Sequence, residues 1–366
     1  MLSAVGRVFK TADLRRKLLF TLAMIVLYRL GTFIPAPGVS YGNVQQCLES
    51  NTTSGGVYDI VNLFSGGALL QLSIFALGVM PYITASIIIQ LLRVVIPRFQ
   101  ELHDEGAQGQ AKLTQYTRYL TIALALLNAT TIVSMARSGV LLGNCPGIIP
   151  QDDVLHILLI IVTLCAGTTV IMWMGELITQ RGVGNGMSLI IFVSIVSRVP
   201  SAIFSSVNLT TDTGMGIAIT ALILAVVLVC IPAIIFVERA QRRIPVNYAK
   251  RVQGRKMMGG QSTYIPLKVN AAGVIPIIFA SCLIYFPAQL AALFNVGWLT
   301  AFADAISTGW VNWILTIALI VFFAYFYTSM VFNPEETSDN LRKQGGFIPG
   351  VRPGAATAAY IKSTID

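Results

Sequence analysis

Eight stretches of about 20 mostly apolar residues run through this chain, and they constrain its fold more than any other feature. They cover residues 18–36, 72–92, 117–136, 154–175, 184–203, 214–237, 271–293 and 310–332. A helix needs about 20 apolar residues to cross about 30 Å of hydrocarbon. The apolar runs 157–165 and 218–235 do not alternate with polar residues, which argues against the strands of a membrane barrel. We therefore predict an all-α polytopic membrane protein with eight spans.

The composition supports this prediction. Hydrophobic residues make up 55% of the 366 residues, charged residues only 11%, and the mean hydropathy is +0.73. Soluble domains are about 25% charged. This difference excludes a disordered chain, a collagen and a soluble nucleic-acid-binding domain, and it argues against a soluble enzyme.

The positive charges predict how the chain is oriented. Of the 25 Lys and Arg residues, 22 fall on one side, in the N-terminal tail, in the loops after the second, fourth and sixth stretches, and in the tail after the eighth, when Arg118 at the start of the third stretch is counted with the loop before it. Basic residues mark the cytoplasmic side of a membrane protein. We therefore expect both termini to be cytoplasmic, with Arg137 and Arg198 on the outer side and Arg29 within the first stretch.

A nine-residue motif occurs twice. Residues 78–86 read GVMPYITAS and residues 273–281 read GVIPIIFAS, so six of nine positions are identical at an offset of 195. The charge pattern makes the two copies run in opposite directions, which is typical of an inverted repeat. Chance similarity between two apolar helices is the alternative. Pro81 and Pro276 are expected inside their helices, where proline removes a hydrogen bond and kinks the axis.

The residues that catalysis or ion coupling would need are missing. The centres of the predicted spans carry almost no ionisable groups, no GxxxxGK[ST] phosphate loop is present, and the five cysteines have no CxxC spacing. We therefore predict no enzyme, no metal and no cofactor. A pore lined by Ile, Val and Met would hold no small ion but would seal around a bulky and varied substrate. A secondary transporter for a small solute and a membrane-bound enzyme are the alternatives.

Two segments between the spans carry further information. The outer segment 59–70 is moderately apolar but too short to span, so it is re-entrant, interfacial or a packed loop. The loop 238–268 holds eight basic residues against one acid. It serves either as a topology signal near anionic lipid or as a docking arm for RNA phosphates or an acidic protein, and its length favours docking. Cys47 and Cys145 both lie on the predicted outer side, so the sequence permits a disulfide between them.

Six stretches together resemble the SecY family, the channel subunits of the bacterial Sec protein translocase. They are residues 18–39, 62–92, 175–192, 238–251, 261–281 and 333–354. The resemblance implies a ten-span inverted-repeat fold with a short plug helix and a lateral gate. This chain would then hold eight of the ten spans and be truncated at its C-terminal end.

The resemblance also implies how the chain is divided and what it does. The N-terminal half is residues 1–203, with spans one to five and a plug at 60–70. The C-terminal half is residues 204–366, with spans six to eight, the cytoplasmic loop 238–268 and the tail loop 333–366, while spans nine and ten are missing. The implied function is the central pore of a protein-conducting channel in the bacterial inner membrane. It would pass unfolded polypeptides and release transmembrane segments sideways into lipid.

Site residues follow from the same resemblance. The apolar pore ring is expected to contain Val79, Ile83, Met187, Ile191 and Ile278. The plug residues are Asn62, Leu63, Phe64, Ser65, Gly66 and Gly67. The polar gate residues are Gln90 and Asn185. The residues expected to dock ribosome or SecA are Arg239, Arg242, Arg243, Lys250, Arg251, Arg255, Lys256 and Arg352. The implied partners are SecE, SecG, SecA, the ribosome, signal sequences, nascent chains and the lipid bilayer, with YidC as a further candidate.

Overall fold

The computed structural model describes most of the chain. The described residues are 11–50, 65–137, 149, 153–207, 213–248, 251–253, 256–258, 263–270, 272–294, 297–307, 309–331, 334–343, 345–352 and 354–365. The chain divides into two compact units, of which the first is residues 1–206 with 282–315. The second unit is residues 207–281 with 316–366.

Helices make up most of the described chain. The first seven are α1 (Ala12–Phe33), α2 (Tyr41–Ser50), α3 (Met80–Val95), α4 (Pro97–Asp104), α5 (Ala107–Arg137), α6 (Val154–Arg181) and α7 (Gly186–Val207). The remaining helices are α8 (Thr213–Arg239), α9 (Ile275–Phe294), α10 (Gly297–Ser307), α11 (Gly309–Val331), α12 (Pro334–Lys343) and α13 (Ala355–Ile365).

Five of these helices are long and apolar enough to cross a membrane, namely α5, α6, α7, α8 and α11. They coincide with the third, fourth, fifth, sixth and eighth predicted stretches. A sixth span results if α3 and α4 are counted as one bent span. The first stretch is helical as α1, and the seventh is the shorter apolar helix α9. The presence of several spanning helices is confirmed, and the count of eight spans stays a prediction.

The structure corrects the start of the second stretch. Residues 72–79 form turns and a bridge, and α3 begins only at Met80. Pro81 therefore lies in the first turn of α3, and Pro276 is likewise the second residue of α9. A proline in the first turn has no intrahelical hydrogen bond to lose, because the amide there has no partner in the helix anyway. The predicted kinks at these two prolines are therefore wrong.

The two copies of the repeated motif have the same local backbone. Gly78 and Gly273 have φ angles of +57° and +61°. Ile83 and Ile278 are each the fourth residue of their helix, and each donates its amide to the carbonyl oxygen 4 residues earlier, at 3.1 and 3.4 Å. Glycine adopts positive φ without steric cost. The sequence repeat is therefore also a repeat of the turn that starts a helix.

The predicted basic loop contains β-structure in the second unit. Strand β1 (Gln241–Tyr248) pairs antiparallel with β4 (Thr263–Lys268), so that Ile244 lies opposite Ile265. On its other side β1 pairs with the short strand β5 (Gly346–Phe347) of the tail. The strands β2 (Arg251–Gln253) and β3 (Lys256–Met258) form a separate antiparallel pair. The loop and the tail are thereby joined in one three-stranded sheet.

Candidate functional site

An apolar cluster in the first unit gathers four of the five predicted ring residues. Val79 and Met187 belong to its buried core, and Ile83 and Ile191 pack against it. The other buried members are Tyr28, Phe75, Ile171, Met172, Met174, Ile178 and Ile190. Between helices in a membrane, such contacts are stabilised by close van der Waals packing rather than by removal from water. We call this set the constriction cluster. The fifth ring residue, Ile278, lies in the second unit and is also buried.

Hydrogen bonds hold the first turn of α7, which places Met187 in the cluster. The side-chain oxygen of Asn185 accepts from the amides of Met187 and Ser188, at 3.1 and 3.4 Å. The hydroxyl oxygen of Thr179 accepts from the amide of Gly186 at 2.8 Å. Asparagine before a helix satisfies amides that have no partner inside it. Asn185, which the resemblance marks as a gate residue, therefore caps α7 in this structure.

Helices α6 and α7 approach each other closely beside this turn. A Cβ atom built on Gly186 would lie 2.0 Å from the carbonyl oxygen of Gly175. A Cβ atom on Gly175 would lie 2.3 Å from the sulfur atom of Met187. Only a hydrogen at both positions leaves room for this approach. The two glycines therefore let the Met187 side chain lie directly on α6.

The predicted plug is only partly described, since Asn62, Leu63 and Phe64 lie outside the described residues. Ser65, Gly66 and Gly67 are all buried. The hydroxyl oxygen of Ser65 accepts from the amide of Leu69 at 3.2 Å. Arg29 of α1 donates to the carbonyl oxygen of Gly66 at 3.1 Å. This segment is thus a packed turn in the first unit rather than a free loop.

The chain after this turn is fastened to the end of α1. The amide of Ala36 donates to the carbonyl oxygen of Leu72 at 2.9 Å, and the amide of Ile74 donates to that of Ile34 at 3.0 Å. Phe75 stacks on Tyr28 with 5.9 Å between the ring centroids. The hydroxyl groups of Tyr28 and Ser194 share a buried hydrogen bond of 2.7 Å, which joins α1 to α7. The chain that follows the turn therefore supplies Phe75 to the constriction cluster, where Phe75 stacks on Tyr28.

Polar contacts at the apolar helices include residues that sequence reasoning missed. Gln289 of α9 donates to the side-chain oxygen of Asn128 of α5 at 2.6 Å. Thr84 of α3 and Cys282 of α9 are 3.4 Å apart. A cavity of about 80 Å³ lies between these groups. Asn128 and Gln289 stand alone in apolar stretches, and this pattern is the signal that could have identified them. The predicted gate residue Gln90 is half-buried in α3.

The predicted docking residues lie around the sheet of the second unit, as far as they are described. Arg239, Arg242 and Arg243 are exposed, and the Arg243 guanidinium stands 4.8 Å from the ring centre of Tyr264. Arg251 and Lys256 lie in strands β2 and β3, and Lys250 and Arg255 lie outside the described residues. The Arg243–Tyr264 contact is a cation–π interaction. Arg239 at the end of α8 and Arg242 and Arg243 at the start of β1 are thus exposed basic residues close together in the chain, which we call the basic edge.

A small apolar core attaches the tail to this sheet. Its buried members are Ile244, Val246, Leu267, Leu341, Ile348 and Ile361. Arg352 follows this core in the chain and is itself exposed. The carbonyl oxygen of Arg352 accepts from the Thr357 hydroxyl at 2.9 Å. We call strands β1, β4 and β5 with α12 and α13 the tail platform. It brings the basic loop and Arg352 into one folded body.

In the part of the chain that the structure describes, no group of three or more His, Cys, Asp or Glu side chains is placed to hold a metal ion.

The ion pair between Arg118 of α5 and Glu176 of α6 is bidentate, with 2.9 Å between Arg118 Nε and Glu176 Oε1. Paired opposite charges between two helices are typical of a packing contact.

Comparisons with known proteins agree on one family. The family model described as SecY matches residues 73–366. The protein translocase subunit SecY of Streptomyces scabiei is 52% identical, and the match covers 100% of this chain and 85% of that protein. A solved structure described as a protein-conducting channel superposes with a TM-score of 0.63 at 18% identity, covering 96% of this chain and 81% of the other. A second one, from work stating that the plug domain of the SecY protein stabilises the closed state of the channel, gives 0.61 at 18% identity with the same coverage. Similarity at this identity indicates the fold.

Proposed function

The chain belongs to the SecY family of protein translocase subunits, and on that premise we propose that its constriction cluster is the seal of the protein-conducting pore. As a family member the chain is a multi-pass membrane protein whose relatives form channels. This membership favours a channel over the secondary transporter that the repeat left open. In our proposal Val79, Ile83, Met187 and Ile191 close the pore together with Ile278.

One observation carries the proposal, namely that side chains from two distant segments, Val79 with Ile83 and Met187 with Ile191, meet in one apolar cluster. An ion that enters such a cluster loses its water shell and gains no polar partner, which costs many kcal/mol. Apolar constrictions therefore block ions by excluding water. Ile, Val and Met side chains can be displaced by a polypeptide of any sequence, because they make no directional bonds that the substrate must satisfy.

The lateral exit belongs to the same proposal. We assign to the gate the polar contacts of α9 with α3 and α5, namely Gln289 with Asn128 and Cys282 with Thr84. Each is a single side-chain contact, worth about 1 kcal/mol. An apolar signal sequence could therefore separate these helices by packing against them. Gln90, expected at the gate from the resemblance, stays a candidate of this group.

The finer assignments of location and partners are also proposals. We place the protein in the bacterial inner membrane with both termini in the cytoplasm, because the basic residues concentrate on that side. The tail platform then faces the cytoplasm and offers its basic edge to the ribosome and SecA. SecE, SecG and YidC are proposed as membrane partners. The chain catalyses no reaction in this proposal, and the energy for transport comes from its partners.

Ion leak tests the seal. We expect Ile83→Gly, alone and with Ile278→Gly, to raise ion flux through the closed channel in proteoliposomes, with the double variant leaking more. The matched control is Ile234→Gly in α8, which also removes an isoleucine from an apolar helix but at a side chain that is 61% exposed. Equal flux for Ile83→Gly and the control, at equal protein content, would contradict the proposed ring.

A further inference from the structure

Two arginines converge on the Gly66–Gly67 turn from different helices. Arg29 of α1 donates from Nη1 to the carbonyl oxygen of Gly66 at 3.1 Å. Arg198 of α7 approaches the next residue so closely that a Cβ atom built on Gly67 would lie 2.8 Å from its Nη1 atom. Both helices also contribute to the hydrogen bond between Tyr28 and Ser194. The turn is therefore contacted by guanidinium groups from two helices that are themselves joined by a hydrogen bond.

The geometry of the turn requires its glycines. Gly66 and Gly67 have φ angles of +68° and +93°, which L side chains rarely adopt. Ser194 of α7 also lies close, since a Cβ atom on Gly66 would be 3.4 Å from its Cα atom. A Cβ atom on Gly67 would displace the Arg198 guanidinium, whereas at Gly66 the positive φ angle is what disfavours a side chain. The glycines thus permit both the conformation and the contact with the arginines.

The hydrogen bond between Arg29 and Gly66 can stabilise the turn and can also be broken reversibly. An arginine in a protein stays charged at every physiological pH, so its hydrogen bond to a carbonyl is charge-assisted and stronger than a neutral one. Yet Arg29 donates only to a backbone oxygen of the turn, and a water molecule can take the place of that acceptor when the turn moves away. Arg29 also lies 4.8 Å from the ring centre of Phe33, so its position does not depend on the turn alone.

We propose that Arg29 and Arg198 are positioning residues that hold the Gly66–Gly67 turn in its closed place. The proposal rests on the proposed function, because it takes this turn as part of the plug. In the open channel the turn leaves, and both guanidinium groups then face the path of the translocating chain. Arg29 and Arg198 are not members of the constriction cluster, so substituting them removes none of its apolar side chains.

Chemical labelling reads the position of the turn directly. Ser65→Cys places a thiol at a side chain with 0% exposure, so a membrane-impermeant maleimide reacts slowly with it in the closed channel. The full chain with its partner subunits is used, and the labelling rate of the parent protein is subtracted to correct for reaction of the native cysteines. We expect Arg29→Ala to raise the labelling rate about tenfold, as for the loss of one charged hydrogen bond. Arg198→Ala should also raise the labelling rate, because it removes the guanidinium packed against Gly67. Arg29→Lys should restore much of the protection.

Two controls separate a released turn from other effects. Arg137→Ala removes an exposed positive charge at the end of α5 and should leave labelling unchanged. Ala129→Cys in α5, also 0% exposed, reports loosening of the whole unit and should stay protected in the arginine variants. Labelling of both reporters in Arg198→Ala, or of neither, would overturn the proposal.

The glycines give an independent arm of the test. Gly67→Ala should raise Ser65→Cys labelling, while Gly184→Ala, with φ of +74° but no neighbour within 4 Å, should not. Ion flux distinguishes this proposal from the proposed function. Increased labelling with increased flux supports both, and increased labelling with unchanged flux supports the positioning role but contradicts the turn as a barrier. Unchanged labelling in every variant would contradict the positioning role itself.

Discussion

Two ion pairs of this protein differ in how exposed they are to solvent, and this exposure determines how much each contributes to stability. Arg118 and Glu176 form a bidentate pair in which the Glu176 side chain is 15% exposed. Lys112 and Glu105 are 3.9 Å apart with side chains that are 59% and 53% exposed. Exposed pairs contribute about 0–1 kcal/mol. In the Arg118–Glu176 pair the Arg118 side chain is 42% exposed, so removing it costs less than breaking a fully buried pair but leaves the more enclosed carboxylate without its partner. The first pair should therefore matter to stability and the second should not.

We predict that Arg118→Ala lowers the free energy of unfolding by about 1–3 kcal/mol, because it leaves the half-enclosed Glu176 carboxylate without its partner. Thermal unfolding in detergent measures the effect. The matched control is Lys112→Ala, expected to change stability by less than about 0.5 kcal/mol. The double variant Arg118→Ala with Glu176→Gln should recover part of the loss. Equal effects at the two sites would contradict this account.

At the start of helix α7, Asn185 fits two interpretations, a polar gate residue and a helix cap. The resemblance assigns Asn185 to a polar gate, and the structure shows its side chain capping α7. The same turn is fastened by Thr179 and by Thr21, whose hydroxyl oxygen accepts from the amide of Val183 at 3.2 Å. Because Met187 and Ile191 follow on this helix, the cap sets where two ring residues lie.

Substitution separates these two roles of Asn185. A cap needs only an oxygen acceptor, so Asn185→Asp should keep stability near the parent value, and Asn185→Ala should cost about 1 kcal/mol. Thermal unfolding gives the stability, and transport of a signal-bearing substrate into vesicles gives the function. If Asn185 acts at the gate through its amide, Asn185→Asp will change transport while stability stays constant. Loss of stability in Asn185→Asp would contradict the cap.

On the scale of the whole molecule, the two units each have an apolar core with a different task. The constriction cluster of the first unit contains the proposed seal. The core of the second unit attaches the tail to the basic loop and so presents Arg352. Residues more than 80 positions apart in sequence, such as Val246 and Ile348, contribute to this core. In our proposal, docking of the ribosome or SecA should therefore depend on the buried residues of this core, although the partner does not contact them.

The tail platform gives a test of this dependence. Ile348→Ala should loosen the tail, since removing a buried isoleucine costs about 2–5 kcal/mol. We expect ATP-driven export through the complete translocase to fall in Ile348→Ala and in Arg352→Glu alike, although Ile348→Ala retains Arg352. Proteolysis of the tail should become faster. The control is Phe347→Ala, because Phe347 is 42% exposed whereas Ile348 is 3% exposed. Normal export with a loosened tail would show that the core does not position Arg352.

Much of the fold could be predicted because the membrane imposes simple rules on sequence. Apolar stretches of spanning length, the charge bias and the repeated motif are all local or periodic features. They predicted the long helices, whereas the resemblance of six stretches indicated the family and selected four residues that meet in the constriction cluster. The helical start at Met80 was missed, because apolar residues 72–79 look the same in sequence whether they form a helix or turns.

The sequence by itself determined that the chain is a multi-pass helical membrane protein of the SecY family, with apolar candidates for a seal and a basic loop. Only the tertiary structure decided that Asn185 caps a helix, that Gln289 meets Asn128, and that β5 of the tail pairs with β1 of the loop. It also brought Arg29 and Arg198 to the Gly66–Gly67 turn. The physical reason is that hydrophobicity depends on each residue alone, whereas hydrogen bonds and close packing depend on which residues the fold brings within about 3 to 4 Å of each other.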